Sequence, residues 1–437
     1  MWKNLMCGKK LDSSVTDDDT VNITITNVFG YSNKGDSAIV LSMLDALNKE
    51  LGDVEIAIES WHPELDQDIY KNCRVFDRLW KGRRCEKFGN FSPYPENLLE
   101  SVTKLPYLIN SIQSNNGPLS ESIFLSSKEE ELISQLQESD VIVSVGGGFL
   151  LGSIESLVHL YSLKIATLSN TPVVIYAQSI GPFDNKLVRE LAASVLQNVD
   201  YITVRDNISK ENLESMGVTS PKIEVTADAA FLFEPEYTSN IKDINNDINN
   251  SGFSVGITVR NWRYPNSKNP NKKRKNYRQQ LSKFVDYINS EYADHIYFFN
   301  HTEQDSAEAE RIIDMSSCES DITNLRSDIP PRNLKHLIGK MDLFVGTRMH
   351  STIFSMEMGV PTISIAYLPK SIDLMQRVNL DKYVIPIEKT NKNDLQIMLD
   401  NIIRNEQEYL QTMTKKIQRL RKLARKNVEI VNKHAQS

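Results

Sequence analysis

One pattern recurs along this chain: a run of β-branched residues ends at a glycine-containing turn, and a helical period follows. The run at 21–28 leads through Gly30 and Gly35 into a helix predicted over 37–51, and 54–58 follows as a strand. Short apolar strands that alternate with amphipathic helices are typical of a parallel sheet with helices packed on its faces. The pattern therefore predicts an α/β fold.

The alternation continues on both sides of a polar stretch at 234–252, which is rich in Asn and Asp and predicts a linker. Further strands are predicted at 141–145, 173–176, 201–204, 253–259, 295–299, 343–345 and 362–366, and helices at 153–168, 186–196, 277–290, 303–315 and 350–358. We expect two Rossmann-like lobes, at 1–233 and 253–403. They would face a cleft at the carboxyl ends of their strands, where open α/β sheets bind ligands.

Two segments lie outside this pattern. Residues 83–128 have little periodicity and are rich in Ser, Asn and Pro, which predicts an irregular insertion in the first lobe. Residues 404–437 predict a long basic amphipathic helix with an apolar stripe at steps of three or four. Its lysines and arginines suit the anionic inner surface of a membrane, and its stripe equally suits packing on the protein core.

Length and charge limit the classes of function. The 437 residues suffice for two domains, and a net charge of −7 with a pI near 5.7 disfavours a nucleic-acid partner. The four cysteines show no metal-ligand spacing, so neither a metal site nor disulfides are expected. With no signal peptide and no run of about 18 apolar residues, we expect a cytoplasmic protein, either free or peripheral at the membrane.

The most informative segment is Gly346–Ile353, which joins a predicted strand to a predicted helix. Free backbone N–H groups at a helix N-terminus, near Ser351 and Thr352, favour an anion such as phosphate or carboxylate. Arg348 can bind such a group in two places, and His350 supplies a proton donor that titrates near neutral pH. Pairing of Arg348 with a structural carboxylate and capping by His350 is the competing interpretation.

Other polar residues follow predicted strands in both lobes. In the second lobe, Arg260 ends the first strand, and His301 and Asp305 follow another, where Asp305 either reaches the cleft or caps the next helix. In the first lobe, Asp36 is either a helix N-cap or a base in the cleft. Glycines of this lobe allow a ligand to approach the backbone closely or simply form tight turns. The remaining first-lobe candidates are Gly35, Gly147, Gly148, Gln178, Ser179 and Asp228.

Taken together, these segments resemble the polysaccharide pyruvyl transferase family. The resemblance spans about residues 25–370, and its most specific part is Thr347-Arg348-Met349-His350. The other matching segments are Asn33-Lys34-Gly35-Asp36-Ser37-Ala38, Gly146-Gly147-Gly148, Gln178-Ser179-Ile180-Gly181-Pro182, Val204-Arg205-Asp206 and Asp228-Ala229-Ala230-Phe231.

The resemblance implies a fold like that of the GT-B glycosyltransferases, phosphoenolpyruvate as donor substrate, and neither cofactor nor metal. The acceptor would be a glycan or lipid-linked sugar, and the product a cyclic pyruvate ketal in capsule, exopolysaccharide or cell-wall polymer synthesis. It implies donor binding in the second lobe, with the acceptor facing the first lobe. The expected donor-binding residues are Arg348, Met349, Arg260, His301, Ser351 and Thr352; the expected acceptor-binding residues are Gly35, Gly147, Gly148, Gln178 and Ser179.

For the chemistry, His350 is the expected acid that protonates the donor's methylene carbon. Asp36, Asp228 and His301 are alternative bases for the sugar hydroxyls, and sequence reasoning leaves them unranked. A GT-B-type glycosyltransferase that uses a sugar nucleotide is the main alternative, because Glu357 before Gly359-Val360-Pro361 resembles a ribose-binding carboxylate near a turn. A scaffold that binds a glycan or a biosynthetic protein without catalysis is a second alternative.

Overall fold

The structure is a computed structural model that describes residues 20–31, 33–78, 84–85, 90–91, 127–152, 156–265 and 267–437. It consists of two α/β lobes, each with a parallel sheet between helices, so the predicted fold class is confirmed. The predicted insertion at 83–128 lies largely outside the described residues. Its described strands, β4 and β5 below, pair in antiparallel orientation.

The first lobe is built on an eight-stranded sheet in which β7 pairs with β8 and the other strands follow the order β10-β9-β8-β6-β1-β2-β3. The strands of this lobe are β1 (Val21–Val28), β2 (Val54–Ser60), β3 (Cys73–Asp77), β4 (Arg84–Cys85), β5 (Asn90–Phe91), β6 (Val141–Ser144), β7 (Gly147–Leu150), β8 (Val173–Ile180), β9 (Tyr201–Val204) and β10 (Lys222–Val225). Strands β6 and β8 are buried on both faces, which explains their nearly continuous apolar sequences. Its helices are α1 (Lys34–Leu51), α2 (Pro63–Asp66), α3 (Ser127–Glu138), α4 (Ser156–Ala166), α5 (Lys186–Leu196) and α6 (Asn207–Ser215).

The second lobe has a six-stranded parallel sheet in the order β13-β12-β11-β14-β15-β16. Its strands are β11 (Ser254–Thr258), β12 (His295–Phe298), β13 (Ile322–Asn324), β14 (Leu343–Gly346), β15 (Thr362–Ala366) and β16 (Val384–Pro386). The helices from the linker onward are α7 (Lys242–Asn250), α8 (Pro270–Glu291), α9 (Glu303–Ile313), α10 (Pro331–Ile338), α11 (Met349–Glu357), α12 (Pro369–Arg377), α13 (Lys392–Arg404) and α14 (Glu406–Ala435). Short 3-10 helices occur at Ala229–Leu232, Ser239–Ile241, Glu319–Asp321, Asp381–Tyr383 and Ile387–Lys389.

The predicted polar linker differs from the structure in one respect, because residues 242–250 of it form helix α7. Ile241 and Ile248 of this segment are buried in the core of the second lobe. Two apolar side chains at helical spacing suffice to anchor this short helix on that lobe, although most of its residues are polar.

The C-terminal helix α14 joins the two lobes. Along its apolar stripe, Ile417, Leu420 and Ala424 pack in the core of the second lobe, and Val428 and Val431 pack in a core of the first lobe. Between these contacts, buried Asn427 accepts a hydrogen bond from Thr226 Oγ1 (2.7 Å) and donates one to the Ala227 carbonyl (3.1 Å). The stripe therefore packs on the protein core. No helix among the described residues is long and apolar enough to cross a membrane.

Candidate active site between the lobes

The site is built around the start of helix α11. Strand β14 ends at Gly346, and α11 begins at Met349 with Arg348 at its N-cap position. No side chain in the described part of the chain caps this helix, and its first backbone bond joins the Thr352 N–H to the Arg348 carbonyl (3.1 Å). The preceding N–H groups of the first turn thus have no partner within the helix, which is the arrangement that binds anions.

Arg348 is fixed by Asp305. Its Nε and Nη2 both donate to Asp305 Oδ2, at 3.0 and 2.5 Å, and both side chains are buried. Arg348 thus pairs with a carboxylate of the protein, as the competing interpretation of the sequence predicted. The helix cap in this segment is Thr302, whose Oγ1 accepts from the Asp305 N–H, so Asp305 does not cap helix α9. A buried pair of this kind holds the guanidinium in one orientation.

His301 lies behind the same helix turn, with its Nε2 2.5 Å from Ser351 Oγ. Its pKa is held well below the ordinary value, first by burial and then by Arg348, His350, Lys34 and Arg260. The imidazole is therefore neutral at pH 7. Four basic groups thus act electrostatically on one buried side chain, and one of them, Lys34, comes from the first lobe.

Arg260 extends this basic cluster at the carboxyl end of β11. Burial lowers its pKa, and the neighbouring Arg348 lowers it further. Its guanidinium lies 5.5 Å from the centre of the Tyr367 ring, and its Nε has no hydrogen-bond partner in the described part of the chain. An arginine beside another arginine, with a donor unused, is the kind of group that an anionic ligand can pair with, so the binding role of Arg260 stays a prediction.

His350 meets the first lobe at Asp228. Its Nε2 lies 3.6 Å from Asp228 Oδ2, a distance suited to an ion pair when the imidazole is protonated. The same oxygen accepts from Arg205 Nη1 at 2.5 Å, and Asp228 Oδ1 accepts from the Ala230 N–H. Burial alone would raise the pKa of Asp228, but Arg205 and His350 together hold it well below its usual range.

Gly35 allows the lobes to approach each other at His350. A methyl group at Gly35 would touch His350 Nδ1 and lie 2.8 Å from its Cγ, closer than real contacts permit. Gly35 is in the first turn of α1, whose N-cap is Asn33. The N-cap alternative for Asp36 is therefore wrong: its carboxylate accepts from Asn33 Nδ2 at 2.7 Å instead.

A second basic pair, not singled out as functional by sequence reasoning, meets over Gly148. A methyl group at Gly148 would lie 3.0 Å from Lys370 Nζ and 3.1 Å from Arg205 Nη2. The Arg205 nitrogen is buried without a hydrogen-bond partner, and Lys370 has no ion pair or hydrogen bond among the described residues. Arg205 directly follows β9, and Lys370 lies in the first turn of α12. The sequence signal available for Arg205 was therefore a charged residue directly after a predicted strand.

The remaining predicted residues differ in what their side chains can offer. Gln178 is fully buried, and neither end of its amide has a partner in the described chain, whereas Ser179 Oγ is already bonded to Asp206 (2.7 Å) and Arg205 (2.8 Å). The hydroxyl of Thr352 donates to the Arg348 carbonyl (3.3 Å), and Met349 packs in the core of the second lobe. Their donor and acceptor roles stay predictions.

Glu357 is not in the cleft cluster. It is buried at the end of α11, with Arg421 Nε at 3.5 Å and Lys335 Nζ at 4.0 Å. Burial raises its pKa to about 7, and the two cations oppose this. Among the described residues, no group of three or more His, Cys, Asp or Glu side chains could hold a metal ion.

Fold and site together define a two-lobed, GT-B-like protein with a basic cleft. Among solved structures, the UDP-GlcNAc 2-epimerase of Methanocaldococcus jannaschii has a TM-score of 0.55, 13% identity and coverage of 87% of this chain and 92% of its own. The Neisseria meningitidis UDP-GlcNAc 2-epimerase bound to UDP-GlcNAc has a TM-score of 0.56, 12% identity and coverage of 95% and 99%. At such identities the likeness concerns the fold alone.

Sequence comparison gives the family. Residues 33–369 match the polysaccharide pyruvyl transferase family. The amylovoran biosynthesis protein AmsJ of Erwinia amylovora is 23% identical over 404 residues, which cover 90% of this chain and 95% of that protein. The chain belongs to the polysaccharide pyruvyl transferase family, so the resemblance seen in the sequence is confirmed.

Proposed function

We propose that this protein transfers pyruvate from phosphoenolpyruvate to two hydroxyls of one sugar and so forms a cyclic ketal. The observation that carries the proposal is that His350 lies near basic groups of both lobes: Arg205 holds the Asp228 carboxylate that His350 approaches, and Arg348 and Lys34 act with His350 on the buried His301. Phosphoenolpyruvate has two anionic ends, a phosphate and a carboxylate, with the reacting carbons between them. A donor of this shape suits two anion sites separated by an acid.

The phosphate is assigned to the start of α11, where free N–H groups adjoin Arg348 and Arg260. The carboxylate is assigned to Arg205 and Lys370, which converge over Gly148. Since Arg205 is in the first lobe and Lys370 in the second, the donor would contact both lobes at once. Closure of the cleft would then exclude water from the reaction.

In the first step, His350 gives a proton to the methylene carbon, which becomes a methyl group while positive charge develops at the central carbon. One sugar hydroxyl adds to that carbon and loses its proton. A second hydroxyl then bonds to the same carbon as the bond to the phosphate oxygen breaks. Inorganic phosphate leaves with the electron pair of that bond. The two hydroxyl protons together replace the proton of His350 and supply one to the phosphate.

Asp228 would stabilise the imidazolium form of His350, which it approaches to 3.6 Å. Its low pKa makes it a poor base, because Arg205 and His350 favour its charged form over the effect of burial. Asp36 is the better candidate for the base that accepts hydroxyl protons. Its charge is close enough to raise the pKa of both Arg260 and Lys370 slightly, against the larger lowering effect of burial.

The acceptor in this proposal is a glycan or lipid-linked glycan precursor made on the cytoplasmic side of the membrane, for a capsule, exopolysaccharide or wall polymer. The similarity to AmsJ, an amylovoran biosynthesis protein, supports an exopolysaccharide. The exposed basic face of α14 would allow peripheral membrane contact. No cofactor or metal is required by these steps.

Transfer from a sugar nucleotide remains the second candidate, because several proteins of similar fold are complexes with UDP or UDP-sugars. Against it, the carboxylate proposed for the ribose, Glu357, is buried and paired with Arg421. Purified protein incubated with phosphoenolpyruvate and lipid-linked glycan precursors should release inorganic phosphate, and the glycan should gain a pyruvyl group that survives borohydride, as a ketal does. Release of nucleotide from a sugar nucleotide, without any use of phosphoenolpyruvate, would establish the second candidate instead.

A further inference from the structure

The first lobe carries a pair of aromatic rings that the chemistry above does not use. Phe29 directly follows β1 and is 48% exposed, and its ring centre lies 5.7 Å from that of Trp61. Phe149 in β7 stacks on the imidazole of His159 at 4.2 Å. We refer to Phe29 and Phe149 as the aromatic shelf, with Trp61 and His159 as its support.

A buried polar network fixes this support. The Arg78 guanidinium lies 4.6 Å from the centre of the Trp61 ring, and its Nη2 donates to Asn27 Oδ1 and Ser162 Oγ, both at 3.0 Å. His159 Nδ1 lies 2.9 Å from the same Asn27 oxygen. Asn27 adopts a φ of 68°, which is strained for a residue with a side chain. Because this network fixes Trp61 and His159, it also holds the rings that pack on them in one position, as a preorganised binding site requires.

The shelf itself is uncharged. Burial, and after it the charge of Arg78, lowers the pKa of His159 well below its ordinary value, so the ring under Phe149 is neutral at pH 7. Arg78 is covered by the rings and is only 1% exposed, with Glu59 at 3.8 Å as its counter-ion. The shelf therefore offers aromatic faces to a neutral ligand, and the described residues that form and support it include no exposed cation.

The shelf adjoins the site of transfer. Phe29 follows the carboxyl end of β1 and Arg205 follows that of β9, so both lie at the same edge of the parallel sheet. Phe149 follows Gly148 in β7, and its side chain leaves the strand on the face opposite to the one on which Arg205 and Lys370 meet. Phe29 begins the short connection to Gly35, which touches His350. Gly147 lies against the shelf as well, because a methyl group there would be 3.2 Å from the Phe149 ring and 3.9 Å from Gln178 Oε1. The Gln178 amide, which has no hydrogen-bond partner among the described residues, thus lies beside the Phe149 ring.

We propose that the aromatic shelf binds the acceptor as a neutral pyranose ring, stacked through its C–H face on Phe29 and Phe149. The proposal rests on the pyruvyl transfer function, which needs sugar hydroxyls near His350. A pyranose combines one apolar face with hydroxyls at its edge, which matches aromatic faces beside the Gln178 amide. Two phenyl rings are far too small a surface for a protein or membrane partner, whose contacts need many such groups.

The test compares Phe29→Ala, Phe149→Ala and Phe29→Tyr with wild type, using Leu187→Ala as a control because that side chain is 65% exposed on helix α5. Saturation-transfer NMR would measure binding of the methyl glycosides of galactose, glucose and mannose, with inorganic phosphate present. We expect at least one glycoside to bind, and each alanine variant to weaken it by about tenfold, with Tyr restoring affinity. The control should bind as wild type does.

Protection against thermal unfolding by phosphoenolpyruvate is measured on the same variants, and it should be unchanged because the shelf does not hold the donor. Equal glycoside binding by Phe29→Ala and wild type, or no glycoside binding by wild type, would overturn the shelf. A third result is that the alanine variants bind the glycoside more weakly than wild type, but phosphoenolpyruvate does not protect wild type. That result would support the shelf and refute pyruvyl transfer. The two proposals therefore fail separately.

Discussion

His350 of the second lobe lies 3.6 Å from Asp228 of the first lobe, and Arg205 holds the same carboxylate oxygen at 2.5 Å. The proposed acid thus depends on both lobes for its environment. A carboxylate that stays charged next to an imidazole stabilises the protonated imidazole, which is the form that must donate its proton.

Asp228→Asn should reduce turnover roughly a hundredfold, because His350 loses the charge that stabilises its protonated form. Affinity for phosphoenolpyruvate should stay the same or increase, because Arg205 is no longer neutralised. Steady-state kinetics separates the two effects. Asp45→Asn, at an exposed ion pair with Arg332, is the matched control. Unchanged turnover in Asp228→Asn would show that the pair has no part in the chemistry.

Gly35→Ala should impair activity without unfolding the protein. Alanine favours a helix over glycine by about 1 kcal/mol, but the new methyl group would displace the His350 ring. A shift of about 1 Å in a catalytic group can cost roughly a hundredfold in rate. Gly217→Ala should behave in the opposite way, since its φ of 76° makes alanine costly while nothing lies within 4 Å. The melting temperature of Gly217→Ala should fall while its kcat stays normal. Equal kinetics in the two variants would contradict the contact between Gly35 and His350.

Glu357 should make stability depend on pH. Burial raises the pKa of Glu357 to about 7 from its ordinary value of 4.5. Between these pH values the folded chain keeps a proton that the unfolded chain releases, so this contribution to stability is full below 4.5 and is lost as the pH rises through 7. Chemical denaturation at intervals from pH 5 to 8 should therefore show a smaller pH slope for Glu357→Gln than for wild type. Glu190→Gln, at an exposed ion pair with Lys186, should leave that slope unchanged; an equal slope in all three proteins would refute the assignment.

Asn427→Ala tests whether α14 is part of the core. The change leaves the Ala227 carbonyl without this donor and the Thr226 hydroxyl without its acceptor, which should cost about 2 kcal/mol of unfolding free energy. Lys422→Ala on the exposed face should change stability by less than about 0.5 kcal/mol. Urea denaturation monitored by circular dichroism would measure both. An asparagine change that left the unfolding free energy unchanged would contradict the packing of α14 on the core.

The junction at Arg348 and His350 could be predicted because its signal is local. A strand that ends in glycine and leads directly into a helix fixes where the following side chains lie, whatever the rest of the fold. The same reasoning located Arg260 at a strand end. It also gave helix α5 at its observed bounds, since amphipathic periodicity and a preceding Asn cap are both short-range features.

The partnerships in the site could not be predicted in the same way. His350 and Asp228 are far apart in the chain, and so are Arg348 and Asp305, so nothing in local periodicity joins them. Lys370 was missed because a lysine after a strand is usually a solvated surface residue; only the lobe packing brings it over Gly148. Helix α7 was missed because its nine residues are mostly polar, and the tertiary contacts of Ile241 and Ile248 outweigh that composition.

Binding of phosphoenolpyruvate in the cleft beside Arg348 distinguishes pyruvyl transfer from the use of a sugar nucleotide. The most direct test follows thermal unfolding of wild type and Arg348→Ala with phosphoenolpyruvate or with UDP-N-acetylglucosamine. A ligand at about 100 times its Kd stabilises the native state by about 2.7 kcal/mol. We predict that phosphoenolpyruvate raises the Tm of wild type and not that of Arg348→Ala, while the nucleotide sugar has no effect on either. Protection of wild type by UDP-N-acetylglucosamine alone would contradict the claim.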